Sequence, residues 1–191
     1  MAKFSKQMEN LVASALPPNP CPNEFLKYVK LFHANNGEVP QPENAMFGTV
    51  FEQKPSVPKP MGTQRNQDVA CKIALEFEAV GQSQGIELTD LDSWFCGLAK
   101  FVLAPAVLFD SEMEQEAAWK QRLKNCAGIC TPRQVSVTSL KTYTNALARA
   151  VKQVNGPTVV VNSEKVLPRF SALMQEFGNR CVSFHDDPRK W

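Results

Sequence analysis

The chain has 191 residues, of which 43% are hydrophobic, and its formal net charge at pH 7 is only +2. This length and composition indicate one domain with an additional arm and are sufficient for a sizeable core. The sequence has no run of about 18 apolar residues, which argues against a transmembrane helix. Its six cysteines are too sparse for a disulfide scaffold.

Residues 1–65 are predicted to form a proline-rich, extended N-terminal arm, because they hold nine of the 14 prolines. Residues 38–64 show no helical period, yet they contain four apolar side chains that are costly to leave in water: Met46, Phe47, Val50 and Phe51. We expect this apolar set to dock on a partner surface, and a neighbouring subunit is the candidate.

Two short helices are predicted within the arm. Residues 3–16 place five apolar side chains on one helical face: Phe4, Met8, Leu11, Val12 and Ala15. Residues 24–35 form a second amphipathic pattern that stops at Asn36-Gly37. The segment 1–16 includes Glu9 and lacks the continuous apolar region of a secretory signal, so we expect an intracellular protein.

Residues 66–180 are predicted to form a mainly α core of about five helices, followed by a C-terminal tail at 181–191. Apolar residues at helical spacing indicate the helices, and capping residues and glycines indicate their ends. The expected N-caps are Thr89 or Asp90, Ser111 (in a Ser-x-x-Glu capping box) and Ser163. The expected stops are Gly81 and Gly85, Pro105, Gly128, Asn155-Gly156-Pro157 and Gly178-Asn179. Residues 158–161 are β-branched and favour a short strand or an extended connector.

Charge is strongly segregated along the chain. Residues 68–118 carry ten acidic and two basic side chains, a net charge of −8, whereas residues 119–181 carry ten basic and two acidic side chains, a net charge of +8. No acidic residue occurs between Glu116 and Glu164. Such a field can hold a polyanion, and a segregated dipole can also order subunits.

The fourth predicted core helix, 134–154, concentrates this charge on one face. At about 100° per residue, a polar stripe about 80° wide collects Thr138, Lys141, Asn145, Arg149 and Lys152. These side chains are of the types that bind phosphate oxygens without reading sequence. Arg133, Lys120 and Lys124 add basic groups nearby in sequence, and the aromatic candidates for base stacking are Trp119, Tyr143, Phe170 and Phe184. Neutralisation by the acidic half and plain solvation are the alternatives.

The sequence contains little that suggests chemistry. Cys126 and Cys130 resemble half of a metal site, but no second ligand pair accompanies them, and two buried or loop thiols are the simpler interpretation. His33 and His185 are the only histidines, and neither lies in a pattern that favours a catalytic Cys-His pair. A glycine-rich phosphate loop is absent. We therefore predict no catalytic residue, no metal and no cofactor.

A helical core, an apolar arm and a basic stripe together resemble the coat or nucleocapsid proteins of filamentous RNA viruses. In the flexuous plant-virus coats a Phe-Asp pair follows an upstream arginine in the core; Phe109-Asp110 matches the pair, and the nearest upstream arginine is Arg65. The resemblance implies a protein that exchanges arms between neighbours and clamps single-stranded RNA non-specifically.

We therefore expect a structural RNA-binding protein that self-assembles as a homo-oligomer or filament, located in a virion or the host cytoplasm, with no membrane partner. A helical adaptor that binds acidic protein partners and an RNA-binding accessory protein are the alternative interpretations. The charge pattern does not separate them, since each would use the same basic face.

Overall fold

A computed structural model describes residues 21–35, 61–155 and 167–185, with side chains placed except at 61, 152–155 and 181–185. Helices dominate these ranges and no β-strand occurs in them, which confirms the predicted mainly α fold. The helices of the described residues are α1 (Pro22–Ala34), α2 (Met61–Ser83), α3 (Leu91–Val102), α4 (Pro105–Leu108), α5 (Glu112–Cys126), α6 (Val137–Asn155) and α7 (Pro168–His185).

Two groups of helices share one hydrophobic core. α1, α2 and α6 pack on one another, α7 packs on α3 and α4, and α5 packs on α4. Contacts of α2 with α3 and of α6 with α7 join the two groups. Aromatic rings fill the junction: Phe25 of α1 lies edge-on to Trp94 and Phe95 of α3, at centroid distances of 5.4 and 5.5 Å.

The position of α1 corrects the predicted division into arm and core. Its apolar face is buried in the core, and Phe25 and Val29 have no exposed surface. A helix with so wide an apolar face needs a partner surface, and α2 and α6 provide it. The predicted arm, 1–65, thus contains one core helix. Residues 3–16 and 38–60, with Met46, Phe47, Val50 and Phe51, lie outside the described residues, as do residues 158–161.

α2 begins earlier than the sequence pattern indicates. It starts at Met61, so residues 61–65 are helical instead of extended. The first turn contains Gly62, Thr63 and Gln64, none of which is apolar, and a polar turn leaves no periodic signal to detect. The short helix α4, at the proline expected to end α3, is also absent from the prediction.

The caps of α3 and α5 differ from each other. Asp90 caps α3 as predicted, because its Oδ1 accepts a hydrogen bond of 2.8 Å from the Ser93 amide. Hydrogen bonds from Ser93 lower the pKa of the Asp90 carboxyl. Ser111 occupies the N-cap of α5, but its side chain makes no capping hydrogen bond, so the capping box is not formed. Gly128, at φ +77°, follows the end of α5 as expected.

The N-terminus of α7 is capped by a residue from another helix. Asp92 of α3 accepts hydrogen bonds from the amides of Arg169, at 3.0 Å, and Phe170, at 2.9 Å. These two N–H groups would otherwise lack partners within the helix. The predicted cap, Ser163, lies outside the described residues, and the helix begins at Pro168.

The C-terminal end of α7 also departs from the prediction. Gly178-Asn179 was expected to stop this helix, but α7 continues through both residues to His185. Residues 181–185 of the predicted tail are therefore helical. A glycine inside a helix costs only about 1 kcal/mol relative to alanine, so packing of the preceding turns on α3, α4 and α6 outweighs it.

Candidate nucleic-acid interface

The basic stripe of α6 faces solvent. Thr138, Lys141, Asn145 and Arg149 are all exposed, whereas Leu140, Leu147 and Val151 on the opposite side are buried. The exposure expected from helical spacing is thus confirmed for these residues. Lys152 is helical, but its side chain lies outside the described set. α6 begins after Ser136, whose Oγ accepts a hydrogen bond of 3.1 Å from the Ser139 amide.

A groove of about 630 Å³ lies between α6 and α7. Lys141, Thr144 and Asn145 line it from α6, and Ser171 and Gln175 are among the α7 residues that line it. The groove therefore combines one cation with hydroxyl and amide groups from two helices. Sequence reasoning missed Ser171 and Gln175, because only the packing of α7 on α6 brings them to the stripe.

The Lys141 side chain lies beside Gly178 of α7. A Cβ atom at Gly178 would lie 3.9 Å from the Lys141 Nζ, so the amine reaches across to the α7 backbone. Lys141 is exposed and also lines the groove. Neither Lys141 nor Arg149 forms a salt bridge within the described residues.

Arg133 does not belong to this surface. Its Nε and Nη2 donate hydrogen bonds of 3.1 and 3.2 Å to the two carboxylate oxygens of Glu76 on α2. The side chain of Glu76 is only 15% exposed, and that of Arg133 is 33% exposed. The hydrogen bonds that Arg133 donates to Glu76 raise the pKa of the Arg133 guanidinium. Arg133 is thus neutralised within the chain, as one of the alternative interpretations expects.

Lys120 and Lys124 stand on a different helix. α5 packs on α4 and makes no extensive contact with α6, so these lysines are not gathered with the α6 stripe. Lys120 pairs with Glu116 one turn earlier, at 2.7 Å, and both side chains are largely exposed. Such a fully exposed pair contributes little to stability, so Lys120 can exchange this partner for another anion at little cost.

Other basic residues of the positive half are structural. Arg122 is buried and donates hydrogen bonds to the backbone oxygens of Lys100, Leu103 and Arg133. Burial lowers the pKa of this guanidinium. Arg169 pairs with Asp90 and Asp92. In addition, Arg180 pairs with Glu176. Intramolecular pairing therefore accounts for much of the segregated charge, and it leaves the α6 face as the main exposed cationic surface near the groove.

Three of the four aromatic candidates for base stacking are buried or half-buried. Phe170 is buried in the core, and Trp119 and Tyr143 are half-buried. The Arg122 guanidinium lies 5.8 Å from the centroid of the Trp119 ring. Phe184 is helical, with its side chain outside the described set. Of the four, Tyr143 belongs to α6 itself, on the flank opposite Lys141.

The thiols of the described side chains show no arrangement for chemistry. Cys126 ends α5 and Cys130 lies in the following loop, as the simpler interpretation of their spacing expects. Burial raises the pKa of the Cys130 thiol to about 12, and that of Cys71 also to about 12. In the part of the chain that is described, no group of three His, Cys, Asp or Glu side chains could hold a metal ion.

The Phe109-Asp110 pair lies between α4 and α5. Phe109 is half-buried and Asp110 is exposed, and no salt bridge connects Asp110 to Arg65 within the described residues.

None of the helices in the described part of the chain is long and apolar enough to span a membrane. Comparisons with protein-family models, curated proteins and solved structures find no match to this chain.

Proposed function

We propose that this chain is a structural protein that self-assembles and holds single-stranded RNA, without reading its sequence, along the exposed face of α6. The observation that carries the proposal is the exposed stripe beside the α6–α7 groove, where Lys141 and Arg149 form no salt bridge within the described residues. Most other arginines of the positive half are bound to carboxylates or backbone oxygens of the same chain. A phosphate backbone is the polyanion that such a stripe fits.

The groove supports RNA in preference to a flat electrostatic contact. Ser171 and Gln175 can donate hydrogen bonds to phosphate or ribose oxygens that Lys141 attracts. None of these groups requires a particular base. A coat or nucleocapsid role, in a virion or in the cytoplasm of a host, is the biological setting in which such binding and self-assembly are combined.

Fluorescence anisotropy with a labelled oligouridine tests the proposal. The double variant Lys141→Glu/Arg149→Glu should abolish binding at low salt, because both substituted side chains are exposed and their reversal repels phosphate. The matched control is Lys72→Glu/Lys100→Glu, which changes the net charge equally at two exposed lysines of the acidic half. Equal loss in both variants would show that only the total charge matters and would contradict the proposal.

The salt dependence gives an independent measure. For a single strand the slope of log K against log salt is about −0.7 per phosphate neutralised, so Lys141→Ala/Arg149→Ala should reduce its magnitude by about 1.4. A helical adaptor for acidic proteins would instead bind polyglutamate as tightly as an oligouridine of equal charge. That result would favour the alternative function.

Self-assembly through the apolar arm residues needs a separate test. Deleting the whole arm is unsuitable, because α1 is part of the core. Replacing Met46, Phe47, Val50 and Phe51 by serine leaves every described residue unchanged, and it should lower the molar mass measured by light scattering while circular dichroism stays constant. An unchanged mass would contradict the assignment of these residues to the subunit interface.

A further inference from the structure

A second, apolar groove of about 860 Å³ lies on another part of the molecule. α2, α3 and α7 each contribute aromatic walls, which include Phe77, Trp94, Phe101 and Phe177, and Ile86 and Leu88 line it from the loop after α2. None of the stripe residues of α6 lines this groove, so it is separate from the proposed RNA surface.

The walls of this groove are held rigidly and yet remain accessible. The Phe77 ring packs against Trp94 and Phe101 with centroid distances of 5.4 Å in each case. Gly97 allows this packing, since a Cβ there would lie 2.9 Å from Phe77 Cζ. Ile86 is nevertheless 53% exposed, and Phe77 and Phe101 are only half-buried. Preformed apolar walls of this kind are suited to bind an amphipathic helix.

The chain itself leads an amphipathic segment to this groove. Cys21, Pro22 and Asn23, at the start of α1, line the groove, so residues 1–20 join the described structure at its edge. Within them, residues 3–16 carry the amphipathic pattern of Phe4, Met8, Leu11 and Val12 described above. Four residues, Pro17-Pro18-Asn19-Pro20, separate this pattern from the groove.

The short connection favours docking within one chain. A proline-rich spacer extends about 3.1 Å per residue, so the end of the pattern at Leu16 stays within about 15 Å of Cys21. A segment tethered so closely has an effective concentration in the millimolar range, which a second copy in solution rarely reaches.

We infer that residues 3–16 form a helix whose apolar face occupies the Phe77–Phe101 groove of the same chain. Phe4, Met8 and Leu11 would anchor it at helical spacing. The inference does not rest on RNA binding, and it assigns a partner to an apolar surface that the proposed function leaves unexplained.

Hydrogen exchange of the full chain, followed by mass spectrometry, tests this inference. In the unaltered protein the amides of residues 5–16 should exchange slowly, and the variant Phe4→Ser/Met8→Ser/Leu11→Ser should lose that protection. The same variant should speed exchange at residues 84–89 of the groove edge and bind more of the apolar dye ANS. Lys6→Ser/Asn10→Ser, on the polar side of the same segment, is the matched control and should change neither measurement.

A second variant, placed in the groove, distinguishes loss of docking from a local effect of the triple substitution on residues 5–16. Ile86→Asp alters an exposed loop residue, so the core should remain folded, and the protection of residues 5–16 should fall as in the triple variant. Fast exchange of residues 5–16 in the unaltered protein would overturn the inference. Protection that appears only at high protein concentration, together with a dimer mass, would also overturn it, because the occupant would then be a second copy.

Discussion

Arg133 and Glu76 face each other across 57 positions of the chain and form a two-point ion pair, with hydrogen bonds of 3.1 and 3.2 Å. The pair joins the loop before α6 to the middle of α2, and the Glu76 side chain is only 15% exposed. It shows that proximity in sequence to the basic stripe does not make an arginine available for RNA. The exposed cations of α6 and the paired arginines thus differ in whether they have an anionic partner within the described residues.

The first prediction concerns this pair. Arg133→Ala should lower the free energy of unfolding by about 1–3 kcal/mol, because it leaves a mostly buried carboxylate without its partner, although partial exposure reduces the effect. Urea denaturation measures the loss. Adding Glu76→Gln should recover part of it, and oligouridine affinity of the folded protein should change far less than in Lys141→Ala. An additive double variant would show that the two side chains are not coupled.

The second prediction concerns the cap that α3 supplies to α7. Asp92→Ala removes the acceptor of two amide hydrogen bonds and one guanidinium hydrogen bond, so we expect a loss of about 2–4 kcal/mol in unfolding free energy. Asp92→Asn keeps one acceptor and should lie in between. Asp110→Ala, at an exposed carboxylate, is the control. If Asp92→Ala has the same denaturation midpoint as this control, the cap does not stabilise the fold.

The third prediction compares two helical glycines. Gly97→Ala places a Cβ 2.9 Å from Phe77 Cζ and 3.2 Å from Leu88 Cδ1, so we expect it to destabilise the protein by about 1–3 kcal/mol through overpacking. Gly62→Ala meets no atom within 4 Å and should stabilise α2 by about 0.5–1 kcal/mol. Thermal unfolding of both variants tests the contrast. Equal shifts would mean that Phe77 adjusts without cost.

The fourth prediction concerns thiol reactivity and alkaline pH. Burial raises the pKa of Cys71 and of Cys130 to about 12, so at pH 8 iodoacetamide should modify exposed Cys21 much faster than either of them. Peptide mass spectrometry gives the order. The pKa values of the Cys71 and Cys130 thiols are raised in the folded protein. The stability that follows from their burial is therefore fully present below the ordinary thiol pKa of 9.0, and it is lost as the pH rises above that value. Rapid modification of Cys71 in the folded protein would contradict its burial.

Helical periodicity predicted α3 and α6 well because both helices are strongly amphipathic. α6 illustrates this, since alternation of Lys141 and Arg149 with Leu140 and Leu147 defines its two faces before any partner is known. The polar first turn of α2 left no such pattern. The continuation of α7 past Gly178 depends on packing with other helices, which outweighs the local preference of glycine.

The candidate site was only partly predictable, because part of it depends on packing between helices. Exposure of the α6 stripe follows from spacing within one helix. The neutralisation of Arg133 by Glu76, the burial of Arg122 and the addition of Ser171 to the groove depend on contacts between residues far apart in sequence. A composition of ten basic side chains therefore overstated the cationic surface that remains once the chain is folded.

Ultraviolet crosslinking of the full chain to oligouridine, with mapping of the adducts by mass spectrometry, tests RNA binding at the α6 face most directly. We expect adducts on peptides of α6 and on the α7 segment around Ser171 and Gln175, and we expect Lys141→Glu/Arg149→Glu to abolish them. Adducts confined to α5, around Lys120 and Lys124, or no adducts at all at low salt, would contradict the assignment of the α6–α7 groove to RNA.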